Sequence, residues 1–296
     1  MIINRANLAS MYVALNTVFN NAFEGAPSYH EKIAMLVPSN TRYNDYKFMM
    51  QFPMLREWIG DRQIRNLAAA SFQIANRDYE ATVEVDSNDI EDDQLGVYHP
   101  IVAELGRAAR QHPDLLLATL ISEGFTTPCY DGKTFFATDH PVASGTQSNN
   151  GGGSGTAWYL FDATRAIKPF IFQRRSLPRL ISQDSPDDEH AFMRKKFRYG
   201  VDYRGAVGYG LWQLAYGSKD TLNTTNYIAA RAAMMQLTND EGTPLGVAPN
   251  LLVVPPALEG QAKELLHADF MGVTGEGTKT NVWRGTAEVL VVPWLK

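Results

Sequence analysis

Apolar residues near the start of the chain recur every three or four positions: Leu8, Met11, Tyr12, Leu15, Val18, Phe19 and Phe23. That spacing predicts an amphipathic helix over residues 4–23, closed by Gly25-Ala26-Pro27. Its apolar face needs a cover, from the chain's own domain or from a neighbouring chain. Ile33-Ala34-Met35-Leu36-Val37 reads as a short strand ended by Pro38. Two partly alternating runs, Ser71-Phe72-Gln73-Ile74-Ala75 and Tyr79-Glu80-Ala81-Thr82-Val83-Glu84-Val85, read as strands joined by a turn at Asn76-Arg77-Asp78. Asn88 and Glu91 then have capping-box spacing, and Asp89, Glu91, Asp92 and Asp93 would load the positive end of a helix. Leu95, Tyr98, Val102, Leu105 and Ala109 continue one face, with Arg107 and Arg110 near the negative end, so a helix is predicted over 88–112 with a kink at Pro100. Pro113-Asp114 opens a second helix, Leu115 to Glu123, stopped by Gly124.

Beyond residue 124 the pattern changes. Thr134-Phe135-Phe136-Ala137-Thr138-Asp139-His140-Pro141-Val142 reads as a turn, a short aromatic strand and a Pro-terminated turn. Residues 143–157, rich in Gly, Ser and Asn, read as a flexible loop. Its glycines lack the Lys-Ser/Thr ending of a phosphate cradle, and Gly205, Gly208 and Gly210 do not match a dinucleotide fingerprint. Trp158 to Phe172 and Phe197 to Tyr216 are rich in aromatic and β-forming residues and are expected in sheets, separated by a polar turn over residues 184–190. From Asn223 the order becomes helix (228–237), strand (251–254), helix (258–266) and strand (289–292), a compact α/β unit.

Composition narrows the function. The chain has 296 residues, 45% hydrophobic and 20% charged, which is a folded protein able to bury a large core. A net charge of −5 argues against nucleic-acid binding by electrostatics, while leaving room for a mildly acidic wall around nucleic acid. Cys129 is the only cysteine, so no internal disulfide forms, as in a reducing cytosol. No run approaches the ~18 apolar residues of a membrane span, and Met1-Ile2-Ile3-Asn4-Arg5 is not a signal peptide. Asn223-Thr224-Thr225 matches a glycosylation sequon but reads as surface polarity in a chain made and folded in cytoplasm. Between residues 43 and 65, aromatic and Met side chains interleave with Arg42, Lys47, Arg56, Arg62 and Arg65. Such a mixture serves a protein interface, an ordinary core or a nucleic-acid surface, and the nearby acids favour the interface.

Cys129, Asp131, Asp139 and His140 are the types a hydrolase or a metal site recruits. No thiol-hydrolase signature flanks Cys129, and no His-x-x-x-His pair exists among His30, His99, His112, His140, His190 and His267. The reading is turn chemistry, with Asp139 or His140 capping a turn before Pro141. No catalytic, cofactor-binding or metal residue is assigned, and an enzyme is not expected.

A set of longer stretches carries a resemblance. These include Glu31-Lys32-Ile33-Ala34-Met35, Phe52-Pro53-Met54-Leu55-Arg56-Glu57-Trp58-Ile59-Gly60, Phe72-Gln73-Ile74-Ala75-Asn76 and Glu91-Asp92-Asp93-Gln94-Leu95-Gly96-Val97-Tyr98. They continue with Gly124-Phe125-Thr126-Thr127-Pro128-Cys129-Tyr130-Asp131-Gly132, Lys168-Pro169-Phe170-Ile171-Phe172-Gln173, Asp187-Asp188-Glu189-His190 and Gly208-Tyr209-Gly210-Leu211-Trp212-Gln213. In this order the chain resembles the gpT family of Mu-like major head subunits. The resemblance weakens at 143–157 and near the C-terminus.

It implies an α+β fold of the Hong Kong 97 capsid type: an N-terminal arm (1–40), an extended loop (41–86), a peripheral domain (87–218) with a spine helix at 88–112, and an axial domain (219–296). It also implies a major capsid protein that self-assembles as hexamers and pentamers into the icosahedral shell of a tailed phage or Mu-like prophage. Such a shell encloses double-stranded DNA, is built in the bacterial cytoplasm and resides in the virion. The partners implied are copies of the chain, a scaffolding protein, a portal and a decoration protein, with no membrane and no cofactor. The alternatives are a cargo-holding bacterial nanocompartment of the same fold, or a hydrolase using Asp139 and His140.

Overall fold

The computed structural model describes residues 2–46, 72–92, 94–142, 145–239, 242–273 and 277–295. The aromatic–basic stretch read as an interface falls largely within 47–71, outside the described residues. Helices are α1 (Arg5–Gly25), α2 (His30–Ile33), α3 (Ser87–Glu91), α4 (His99–Glu123), α5 (Glu189–Arg194), α6 (Thr224–Met235) and α7 (Glu259–His267). Strands run β1 (Ala34–Pro38), β2 (Tyr43–Asp45), β3 (Gln73–Ala75), β4 (Arg77–Asp86), β5 (His140–Val142), β6 (Gly145–Gln147), β7 (Asn150–Gly153) and β8 (Trp158–Phe161). They continue with β9 (Phe170–Arg174), β10 (Arg179–Gln183), β11 (Lys196–Tyr209), β12 (Ala215–Lys219), β13 (Leu251–Val254), β14 (Phe270–Val273), β15 (Gly277–Thr280) and β16 (Glu288–Val291).

Helix α1 begins where the Asn4 side chain accepts the Asn7 N–H at 2.8 Å. Its buried Leu8, Met11, Leu15 and Phe19 join Val102, Leu105 and Ala109 of α4 and Phe197, Tyr199 and Val201 of β11 in one cluster. The cover for this face therefore comes from the same chain. Contact between α1 and α4 is close at Gly106, where an added Cβ would lie 2.5 Å from the Phe19 carbonyl oxygen.

The helix expected over 88–112 is divided and displaced. Asp86, not Asn88, caps α3 by accepting the Asn88 N–H at 2.9 Å, and α3 ends at Glu91. The long helix starts at His99 with Pro100 in its first turn, where a proline is compatible with helix geometry and produces no kink. It then runs through Pro113 to Glu123, 25 residues or about 37 Å. The expected second helix is its last part. Asp114 does act at a helix start, but of α2, while Pro113 lies inside the long helix. The buried Asp114 carboxylate accepts the His30 N–H at 2.7 Å, the Tyr29 N–H at 3.2 Å and the Ser28 hydroxyl at 2.8 Å.

Two five-stranded sheets organise the rest. The first has the order β1-β9-β11-β10, with β4 also paired to β11 over ten positions. Across that pair Glu84 holds Lys196 at 3.2 Å and Arg198 at 3.1 Å, and these hydrogen bonds draw its carboxyl down to about 2. The second has the order β16-β13-β8-β12-β7 and carries α6 and α7. The block 158–218 is thus shared: β9, β10 and β11 enter the first sheet, β8 and β12 the second.

Two local expectations change as well. The runs around Asn76 do not form a hairpin, because β3 pairs with β2 while β4 pairs with β11. Asn76 serves as a junction, donating its amide to Ser39 Oγ and to the Thr41 carbonyl, each at 2.8 Å, and accepting Gln173 Nε2 at 2.8 Å. The Gly-rich stretch is tied down over its described residues: β7 lies parallel to β12, with Gly217 opposite Asn150 and Lys219 opposite Gly153. Gly153 has φ +86°, and a Cβ there would come within 2.3 Å of the Lys219 and Asp220 backbone, so only glycine fits. The Gln147 side-chain amide adds a hydrogen bond, donated to Thr238 Oγ1 at 2.7 Å.

Candidate functional site

The stretch from Cys129 to Val142 lies where the two sheets meet. Thr134 forms an isolated bridge with Pro128, and Phe135 and Phe136 are not in a regular strand. They are fully buried instead. Phe135 stacks on Tyr209 of β11 at 4.5 Å between ring centres and tilts against Phe170 of β9 at 5.2 Å. Phe136 meets Tyr159 of β8 at 5.4 Å. This aromatic pair links both sheets into one core. Burying each ring is worth about 1.5–3 kcal/mol.

Beside it sits a polar chain of contacts. The Cys129 thiol donates to Asp131 Oδ1 at 3.1 Å, and the Lys133 N–H donates to the same oxygen at 3.0 Å. His140 Nδ1 faces Asp131 Oδ2 at 2.6 Å, and its Nε2 faces Asn149 Oδ1 at 3.1 Å. The His140 ring lies parallel to Trp212, 3.9 Å between centres and 4° between planes. His140 and Asn149 are wholly buried. Asp139, next in sequence to His140, points outward and pairs with Lys133 on the surface.

Burial and the neighbouring Asp131 charge push the Cys129 thiol far up, away from the reactive thiolate. Burial works to raise Asp131 too, but the hydrogen bonds from His140, Cys129 and the Lys133 N–H outweigh it and hold the carboxyl below its ordinary range. A thiol nucleophile needs a base facing its sulfur. Here a carboxylate stands between thiol and imidazole, and it holds the thiol proton. This arrangement does not activate the thiol.

The sequence reading of turn chemistry fits Asp131, which closes the turn to Lys133, whereas the exposed Asp139 pairs with the Lys133 side chain. It does not fit His140, which caps nothing and is buried in β5 with tertiary partners. Asn149 and Trp212 were missed. No local spacing announces them, because the first sheet's end and the Gly-rich stretch carry them in from elsewhere in the chain.

The scaffold of two sheets around one core with a long helix is that of the Hong Kong 97-type capsid subunit, the class to which its similarity to solved capsid subunits assigns the chain. The chain belongs to the family of Mu-like prophage major head subunits gpT, whose model matches residues 8–295. It is 39% identical to the major capsid protein of Escherichia phage Mu over 306 aligned residues, covering 100% of both chains. It is also similar to the subunit in the procapsid of bacteriophage JBD30, with 40% identity, a TM-score of 0.86, and coverage of 99% of this chain and 100% of that one. Against the JBD30 capsid decorated with minor capsid protein trimers, identity is 32%, the TM-score 0.77, and coverage 94% and 93%. The chain is a major capsid protein of a tailed phage or Mu-like prophage, part of the virion shell, and not an enzyme. Among the described residues, no helix is long and apolar enough to cross a membrane. Neither the hydrolase nor the nanocompartment alternative survives the family assignment.

Proposed function

We propose that the chain assembles with copies of itself, as hexamers and pentamers, into an icosahedral shell that encloses double-stranded DNA. The observation that carries this reading is the end-to-end similarity to a procapsid subunit at a TM-score of 0.86. A scaffolding protein and a portal are its expected partners during assembly, and trimers of a minor capsid protein its expected decoration. The net charge of −5 suits a wall that does not bind the DNA it holds.

Parts of the chain take the following roles in this proposal. Residues 1–40 form the arm and 41–86 the extended loop that reaches a neighbouring subunit. Helix α4 is the spine, and with β9, β10 and β11 it forms the peripheral domain, to whose sheet the arm adds β1 and the extended loop β4. The second sheet, α6 and α7 form the axial domain, so that β7, β8 and β12 belong to it although β7 and β8 precede residue 219 and β12 ends there. Because the apolar face of α1 is covered within the chain, contacts between subunits fall to other apolar positions. Phe192 and Met193 on α5 and Phe270 on β14 are largely exposed and suited to that task. Many such weak contacts add up across a closed shell.

Negative-stain microscopy of the chain expressed together with its scaffolding partner tests the reading. Closed particles of uniform diameter are expected, and persistent monomers would overturn it.

A further inference from the structure

The orientation of Asn149 fixes the chemistry of His140. Asn149 Oδ1 accepts the Ala137 N–H at 2.9 Å, while its amide nitrogen donates to the Phe135 carbonyl at 2.8 Å and to the Trp212 carbonyl at 3.2 Å. Turning the amide over would set donor against donor and acceptor against two acceptors. The oxygen therefore faces His140, and Nε2, at 3.1 Å, must carry a proton to donate. In the neutral ring the lone pair is then on Nδ1. That lone pair points at a carboxylate oxygen 2.6 Å away, so two acceptors meet and a positive charge has to lie between them. A shared proton is one solution. A metal ion is the other.

The 2.6 Å separation as it stands suits the proton, and two zinc ligands would part to about 3.3 Å, but the surroundings supply the donors for a metal. Cys129 Sγ, one Asp131 oxygen and one His140 nitrogen all lie within 4.8 Å of one another, close enough to bind one ion. Holding a ligating imidazole by its second nitrogen is the usual outer-sphere arrangement of metal-bound histidine, and Trp212 fixes the ring plane. Sulfur, nitrogen and carboxylate oxygen are the donor set of zinc.

We propose that Cys129, Asp131 and His140 bind one Zn2+ ion, through Sγ, a carboxylate oxygen and Nδ1, with a water in the fourth position. Binding releases two protons, one from the thiol and one from between Nδ1 and Oδ2. Thiol, carboxylate and imidazolium sum to zero charge; thiolate, carboxylate, neutral imidazole and Zn2+ also sum to zero. The buried site thus takes a divalent ion without gaining net charge, which removes the main penalty of burying one. The ion would staple the turn after α4 to β5, next to the aromatic link between the sheets.

Cobalt(II) is the probe. Cys129 is the only cysteine in the chain, so a thiolate-to-cobalt charge-transfer band can arise nowhere else. Untagged, folded chain titrated with Co2+ should develop this band and saturate at one equivalent, and one equivalent of Zn2+ should bleach it. His140→Gln should weaken binding by at least ~10-fold, as losses around metal sites commonly do. Cys129→Ser should abolish the band and lower affinity. Absence of the band in wild-type chain shown to be folded by circular dichroism overturns the proposal, and it does so even if the variants fail to fold. Unchanged affinity in Cys129→Ser would overturn it equally.

Discussion

Asn149 carries no charge and no reactivity, yet three backbone groups and the His140 ring depend on it. Each buried group left without a partner costs about 1–3 kcal/mol. Asn149→Ala strips all of them at once, so we expect a loss on the order of 3 kcal/mol in the stability of the subunit, read from the denaturant midpoint. A loss below about 1 kcal/mol would mean that these groups find other partners. At this scale the sequence was legible where chemistry is local. Asp131 bonds two residues ahead, as its turn context suggested. His140 was illegible, since nothing near it in sequence says that Asn149 and a distant Trp212 enclose it.

Among the elements, α4 shows how a correct signal can be attached to the wrong place. Pro113-Asp114 has the composition of a helix start, and Asp114 does cap a helix. The capped helix is α2, some eighty residues earlier, which local reading cannot discover. Because the carboxylate is buried and accepts from two backbone N–H groups and a hydroxyl, Asp114→Ala should destabilise the subunit by about 2 kcal/mol or more. Asp114→Asn keeps an acceptor in place and should recover part of that loss. Urea unfolding of the two variants separates the outcomes: equal losses would show that capping is not what Asp114 contributes. The amphipathic helix α1 was legible, because its period alone determines which face is buried. The hairpin at Asn76 was not, since strand partners are chosen by the sheet and not by the turn. The Gly-rich stretch misled for a related reason. Glycines at 151–153 can signal slack chain, but Gly153 is required by a backbone that a Cβ would strike.

For the whole molecule, the two sheets share one continuous core, yet their strands interleave in sequence: β7 and β8 enter the second sheet, β9 to β11 the first, β12 the second again. Pairings of this kind are non-local and leave no periodic trace, which is why the class of protein was legible in extended sequence resemblance and not in periodicity. The covered face of α1 also alters the assembly picture. In the proposed assembly it leaves contacts between subunits to other surfaces, for which the exposed Phe192 and Met193 are suited.

Cryo-electron microscopy of particles formed by the chain with its scaffolding partner tests the central claim most directly. The account predicts an icosahedral shell in which the sheet of β7, β8, β12, β13 and β16 gathers around the five-fold and six-fold axes of the capsomers and α4 lies away from them. Particles without icosahedral order, or a shell with α4 at the axes, would contradict it.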